Sequence, residues 1–207
     1  MKIQRFQDLN YAQNTYVVID NNHCVVIDPG FNGEEVSRYL ASQALILEAI
    51  LFTHLHYDHT AGIRFFRQYH VPVYMHSIDL DRAEEANYHY GKQFPEYIPL
   101  SFPKMSPLEE GMVLPIPGFP FQVLHTPGHT QGSVCFSIEK HLFTGDTLFA
   151  ESVGRTDLAS GSARSLNQSL LKIMKKHSNQ VKVHPGHDKE STIGQIKEDN
   201  PYLQSIL

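Results

Sequence analysis

The sequence predicts an α/β (α+β) fold, a four-layer αββα sandwich in which two sheets pack face to face with helices outside. Two stretches of β-branched, hairpin-like runs occur, each followed by helical and then strand periodicity. No internal repeat or Gly/Ser linker divides the 207 residues, a length that suits one substantial core, so residues 1–207 read as a single domain. In order, residues 16–20 and 23–28 are strands joined by Asn21-Asn22, a tight-hairpin pair, and Asp28-Pro29-Gly30 stops the second. Val36, Tyr39 and Leu40 recur at helical spacing over 34–40, and residues 48–52 resume as a buried strand. Residues 60–69 read as a helix, 71–76 as a strand, and 78–86 as a helix with Asp79 and Asp81 complementing its first turn. Short strands follow at 112–116, 121–125, 133–138 and 141–143, the last two around a Glu139-Lys140 turn. Residues 163–177 form the longest amphipathic helix, with Leu166, Leu170, Leu171, Ile173 and Met174 inward and Lys175-Lys176-His177 at its negative end. Residues 181–183 make a last strand.

Composition narrows the function classes. Net charge is −5, which argues against a surface that tracks nucleic-acid phosphates. The densest apolar stretch, residues 45–52, is interrupted by Glu48 and is far too short for a membrane span. The first ten residues lack an apolar segment of the secretory kind, so cytoplasmic residence is the expectation. Cys24 and Cys135 each lie in a strand-like run and are expected as buried thiols rather than a disulfide. Residues 87–107 fit neither period and interleave Tyr88, Tyr90, Phe94, Tyr97 and Phe102 with Pro95, Pro99 and Pro103, which makes them a loop or lid candidate. Histidine is unusually frequent, at 13 residues.

Thr53-His54-Leu55-His56-Tyr57-Asp58-His59 follows a predicted buried strand and precedes a helix, where α/β proteins place active sites. In near-extended backbone alternate residues face one way, so His54, His56 and Asp58 project to one side and the turn into the helix re-aims His59. A metal needs at least three protein groups, so further ligands must come from other strand ends. Three are available: His129 in Thr126-Pro127-Gly128-His129-Thr130, Asp146 in Thr144-Gly145-Asp146-Thr147, and His187 in Pro185-Gly186-His187. Each of these sits beside or near a glycine that permits tight backbone geometry. His125, at the end of a strand, is a lesser candidate.

This order of motifs, from Asp28-Pro29-Gly30 to His187, resembles the metallo-β-lactamase superfamily over nearly the whole chain. The resemblance implies two divalent metal ions per chain. His54, His56 and His129 would bind the first, Asp58, His59 and His187 the second, and Asp146 would bridge them. Imidazole and carboxylate ligands suit zinc, the first choice, and also iron or manganese. Hydrolysis by a metal-bridging hydroxide is implied, with Asp58 orienting it and no Ser or Cys nucleophile.

Within the superfamily, metallo-β-lactamases proper usually carry cysteine where Asp146 stands and lack the histidine at His59. Gly145-Asp146-Thr147-Leu148-Phe149, Gly154-Arg155-Thr156-Asp157 and the segments after His187, Ser191-Thr192-Ile193-Gly194 and Asn200-Pro201-Tyr202-Leu203, look like glyoxalase II. The match is to its short form, without the C-terminal helical domain. That branch implies a small-molecule S-hydroxyacyl thioester substrate such as S-lactoylglutathione, and neither nucleic acid nor membrane as partner. Arg155 falls where the family has a lysine contacting the thiol's carboxylate, a role a guanidinium can fill bidentately. Asp157 and Lys189 replace family tyrosines, so the grip on the thiol must differ. The rival class is the persulfide dioxygenases, which share the Gly-Arg-Thr-Asp stretch and use one iron held by two His and one Asp. Lactonases and phosphodiesterases with the same seven ligands are hydrolase variants.

Overall fold

The computed structural model describes every residue except Glu84, Glu96 and residues 100–104, together with the side chain of Ala86. β1 (Lys2–Gln7), β2 (Asn14–Asp20) and β3 (His23–Ile27) run antiparallel, and Asn21 closes the hairpin in the left-handed region, φ 54°, that asparagine tolerates. β4 (Ile46–Leu51), β5 (Val73–His76) and β6 (Met105–Leu108) then add in parallel, giving the sheet order β1-β2-β3-β4-β5-β6. The second sheet comprises β7 (Gln122–His125), β8 (Val134–Ile138), β9 (His141–Gly145), β10 (Lys182–Pro185) and β11 (Ser191–Thr192), ordered β11-β10-β9-β8-β7.

Period-2 alternation decides the layers. Tyr16, Val18, Val25 and Ile27 meet Val123, Val134, Phe136 and Phe143 between the sheets. Their neighbours Val17, Cys24 and Val26 face outward against Val36 and Leu40 of α1 (Gly33–Ser42) and Ile63 and Phe66 of a 3₁₀ helix (Ala61–Tyr69). That helix continues directly from α2 (Tyr57–Thr60). On the far side, Leu124, Cys135, Leu142 and Val183 pack on α5 (Ala163–Lys176), which follows α3 (Ser77–Asp81) and α4 (Ala86–His89) in the chain. α6 (Ile193–Asp199) and α7 (Pro201–Gln204) complete that layer through Ile193, Ile196 and Leu203. The architecture is αββα, as the sequence predicts.

Several local expectations are corrected. Residues 112–116 are not a strand: the segment runs beside β7 through Val123 N–H to Met112 O and Leu114 N–H to Phe121 O, but only Val113 forms a bridge, with Gln122. Pro115 and Pro117 lack the N–H a ladder needs. Residues 61–69 tighten to 3₁₀ geometry, and the helix expected over 78–86 ends at Asp81. Leu171 is 43% exposed, because one residue past Leu170 carries it about 100° round the helix to the solvent side. β1, β6, β11, α6 and α7 are short or carry half-exposed faces, which leaves no clean period in the sequence. Of the lid candidate, Phe102 and Pro103 lie outside the described residues. Phe94 and Tyr97 of that segment pack on Tyr57, whose hydroxyl accepts from Ile98 N–H at 2.7 Å.

Among the described residues no helix is long and apolar enough to cross a membrane. Gly30 and Gly62 allow the loop after β3 to touch the helix that begins at Tyr57. A Cβ on Gly30 would stand 2.0 Å from Asp58 O, and one on Gly62 2.3 Å from Gly30 O.

Cys24 and Cys135 are buried in opposite outer layers, and burial pushes both thiols up to about 12. At pH 8 the folded protein should therefore leave both unmodified by a thiol-specific reagent, with two equivalents reacting once denaturant unfolds the chain. Stoichiometric labelling of the native state would show that a thiolate is accessible.

Candidate metal centre

Every predicted ligand lies at a C-terminal strand end, on the rim where the two sheets meet. His54 and His56 follow β4, Asp58 and His59 sit in α2, His129 follows β7, Asp146 follows β9 and His187 follows β10. The structure brings all seven together. His56 Nδ1 is 2.8 Å from His129 Nε2. His187 Nε2 is 3.2 Å from Asp58 Oδ2, and His59 Nε2 is 3.3 Å from His187 Nε2. Asp146 stands between: Oδ2 is 3.5 Å from both His129 Nε2 and His187 Nε2, and Oδ1 is 3.3 Å from His59 Nε2. Gly186 is required for this closeness, since a Cβ there would fall 2.2 Å from Asp146 Oδ1.

The outer partners of the rings fix which nitrogen faces inward. His129 Nδ1 donates to Arg155 O and His187 Nδ1 donates to Tyr11 O, each at 2.9 Å. His59 Nδ1 lies 3.0 Å from Asp28 Oδ2, and a carboxylate oxygen can only accept. Thr53 Oγ1 spends its proton on Asp28 Oδ2 at 2.5 Å, so it accepts from His54 Nδ1 at 3.1 Å. In each neutral ring Nε2 is then the unprotonated nitrogen, turned toward the shared space.

In their neutral form, the four imidazole lone pairs and the two carboxylates converge as acceptors only. His54 Nε2 and Asp146 Oδ1 are buried with no hydrogen-bond partner among the described residues, an arrangement that a cation in the shared space would satisfy. His54, His56 and His129 bring ligand atoms within 4.8 Å of one another, and so do Asp58, His59 and His187. The donor set therefore fits two divalent ions.

Electrostatics agrees with that fit. Burial pushes His54 well down and His56 to about 3, and the rings beside them add to the effect, so both stay neutral. For His59 and His187 burial also opposes charge, but Asp146 and Asp58 more than offset it, raising His59 well above its ordinary value and His187 to about 9. Burial would raise Asp58 and Asp146, yet His59 and His187 hold both below the usual carboxylate range. The two carboxylates demand positive charge among buried rings, and a metal ion or a proton can supply it.

Two residues with central positions were read otherwise from the sequence. Asp28, read as part of a strand stop, adopts φ 51° and accepts from Thr53 N–H at 2.7 Å and Thr53 Oγ1 as well as facing His59. Both its oxygens are thereby committed, which makes it the orienter of His59 rather than a ligand, although it lies within ligand range of His54 and His59. Asp79, expected to face its own helix, is fully buried and accepts from Leu55 N–H, Gly132 N–H, Thr130 Oγ1 and Tyr88 OH at 2.9–3.0 Å. It ties the loop bearing His54 and His56 to the loop bearing His129. The Asp-Pro-Gly after a strand was the available signal for Asp28. Nothing local marks Asp79, whose partners lie 9 to 53 residues away. His125 turns away from the cage, stacking on His76 at 4.1 Å and bonding Gln131 O.

A cleft of about 420 Å³ opens over Asp146, His129 and His187, with Arg155 on its wall. The Arg155 guanidinium is exposed and pairs bidentately with Asp157 at 2.7 Å, which holds the Asp157 carboxyl down at about 2.

Residues 10–187 match the family model described as the metallo-beta-lactamase superfamily. A probable metallo-hydrolase of Streptococcus pyogenes is 32% identical over 210 residues, covering 98% of this chain and 90% of that protein. The hydroxyacylglutathione hydrolase GloC of Haemophilus influenzae is 29% identical over 216 residues, covering 99% of each. The crystal structure of the BLEG-1 B3 metallo-beta-lactamase is similar with a TM-score of 0.89 at 32% identity, over 98% of this chain and 99% of that one. TTHA1623 in a di-iron-bound form gives a TM-score of 0.87 at 35% identity, over 97% and 100%.

Asp28→Asn keeps the size of the side chain and removes the charge behind His59. Competition against a graded series of chelators should show one metal ion held about 10- to 100-fold more weakly, with the other unaffected. Equal affinities in variant and wild type would take Asp28 out of the support of the site.

Proposed function

We propose, from the premise that this chain belongs to the metallo-beta-lactamase superfamily, that it hydrolyses S-hydroxyacyl thioesters of the S-lactoylglutathione type with two divalent metal ions, zinc first among them. That it is a metal-dependent hydrolase follows from the family and from relatives of the probable metallo-hydrolase kind. The observation that carries the dinuclear reading is Asp146, whose Oδ2 lies 3.5 Å from both His129 Nε2 and His187 Nε2 and whose Oδ1 lies 3.3 Å from His59 Nε2, so one carboxylate faces both ligand groups. The thioester reading is supported by the similarity to GloC and by the carboxylate at position 146.

In this reading His54, His56 and His129 would hold one ion, Asp58, His59 and His187 would hold the other, and Asp146 would serve both. Ions held there supply Lewis acidity and a nucleophile available near neutral pH. Asp58 Oδ2, held ionised beside His187 Nε2, accepts a hydrogen bond from the attacking water and orients it. Asp28, Tyr11 O and Arg155 O keep the imidazoles in register, so no reorganisation is needed when charge develops on the carbonyl oxygen. Arg155, at the wall of the cleft, engages a substrate carboxylate by exchanging its Asp157 partner.

Elemental analysis of the purified protein with turnover of S-lactoylglutathione tests the reading. About two metal ions per chain and thioester cleavage are expected, and Asp146→Ala should lose metal and lower turnover by at least about 100-fold. One iron per chain without cleavage would redirect the assignment to oxygen uptake on glutathione persulfide. Faster turnover of a β-lactam than of the thioester would redirect it to that class.

Arg155→Ala should raise the Michaelis constant for S-lactoylglutathione several-fold at nearly constant kcat, the pattern of a lost uniform binding contact. An unchanged constant would remove Arg155 from the substrate site.

A further inference from the structure

One of the candidate imidazole ligands is turned the other way from the rest. His54, His59, His129 and His187 direct Nε2 inward and engage Nδ1 outside. His56 is reversed: its Nδ1 faces His129 Nε2 at 2.8 Å, and its Nε2 is buried with no hydrogen-bond partner among the described residues. Burial pushes this imidazole down to about 3, so the ring is neutral and carries a single proton. An ion held by His54, His56 and His129 would take the Nδ1 lone pair, which leaves that proton on Nε2. A buried donor then lacks the oxygen acceptor that each of the other four rings has.

Three rings stand nearly perpendicular to His56. Two of them, His54 at 4.7 Å and His129 at 4.5 Å, are its partners in the ligand group. The third is Tyr90, at 5.4 Å and 83°, the separation and orientation of an edge-to-face pair. With Nδ1 given to the ligand side, Tyr90 is the remaining ring among the described residues that can receive the Nε2–H edge, and an aromatic face is a weak acceptor of N–H.

Tyr90 is held beside His56 at a backbone cost. It takes the left-handed region at φ 58°, which a bulky residue adopts only where its surroundings enforce it. The enforcement is visible on both sides. His89 Nδ1 accepts from Gly91 N–H at 2.9 Å, Tyr90 O accepts from Gln93 N–H at 3.1 Å, and the Tyr90 hydroxyl accepts from Ala159 N–H. Two residues earlier, the Tyr88 hydroxyl donates to Asp79 Oδ1 and accepts from Ser160 Oγ, each at 2.9 Å. The turn that carries Tyr90 is therefore fastened both to the loop of residues 157–161 and to the carboxylate that ties the ligand loops together.

We infer that the Tyr90 ring is the outer partner of His56, receiving its Nε2–H as Asp28, Thr53 Oγ1, Tyr11 O and Arg155 O receive the Nδ1–H of the other four ligands. An imidazole that gives its lone pair to a cation has a more positive N–H edge, so the negative face of Tyr90 favours this tautomer over the one with a lone pair on Nε2. Tyr90 is thus a positioning residue that acts through His56. The inference rests on the metal-centre reading above and is independent of which substrate is cleaved.

The test compares the zinc-loaded full chain with Tyr90→Leu, which removes the ring, and Tyr90→Phe, which keeps the ring and removes the bond to Ala159. Competition against graded chelators should show one zinc ion held about threefold to tenfold more weakly in Tyr90→Leu, the other unchanged, and both close to wild type in Tyr90→Phe. Proton NMR of nitrogen-15-labelled protein supplies a signature that a merely structural role would not give. The His56 ring N–H should resonate at higher field than those of His54, His59, His129 and His187, because it lies over an aromatic face, and only Tyr90→Leu should abolish that displacement. Equal zinc affinities in all three proteins, or a His56 N–H that Tyr90→Leu does not move, would overturn the role of Tyr90 alone. A wild-type chain that takes up no zinc would overturn the metal reading itself, and this inference with it, before any variant is compared.

Discussion

The constraint on which the rest of the structure depends is that the outer nitrogens of four buried imidazoles, those of His54, His59, His129 and His187, are already engaged. Tyr11 O, Arg155 O, Thr53 Oγ1 and Asp28 Oδ2 hold the outer nitrogens of His187, His129, His54 and His59, which leaves the inner ones as lone pairs. With the rings neutral, Asp58 and Asp146 among them make the enclosed space one of acceptors only. Such a cage calls for positive charge in a folded interior, which a metal ion or a proton on His59 or His187 can supply.

The sandwich makes that cage possible because its two sheets end on one rim. β4 delivers His54 and His56, and β7, β9 and β10 deliver His129, Asp146 and His187 from the other sheet. The sheets are joined through polar as well as apolar contacts. Asp79, in α3, fastens Leu55 to Gly132 and Thr130, which ties together the two loops that carry one candidate ligand group. Asn14 does the same on the other side, reaching from β2 to Pro185 O and Asp188 O across the His187 loop. Backbone contact without side chains at Gly30, Gly62 and Gly186 lets these pieces approach.

Around the cage the surface is divided by chemistry. On one side Tyr57, held between His56 and Asp58 in sequence, anchors Phe94 and Tyr97 and so fixes part of the segment after α4 against the site. On the other side Arg155 and the Lys189–Glu151 pair present charges at the edges of two adjoining cavities.

The sequence by itself determined the layers, because alternation along residues 16–27 and the period of residues 163–176 record which face each residue buries. It also pointed to the side chains that the fold brings together, since His54, His56, Asp58 and His59 lie within six residues and the remaining three follow strand ends. It misled at residues 112–116, where prolines remove ladder donors from an apolar run, and at Leu171, where one residue of helical rotation separates core from solvent. Only the tertiary structure decided the roles of Asp28 and Asp79, the pairing of Arg155 with Asp157 and the meeting of Tyr90 with His56. The physical reason is range: periodicity and motif spacing encode what a residue does within a few positions, whereas a carboxylate that organises a site is defined by donors that folding alone brings to it.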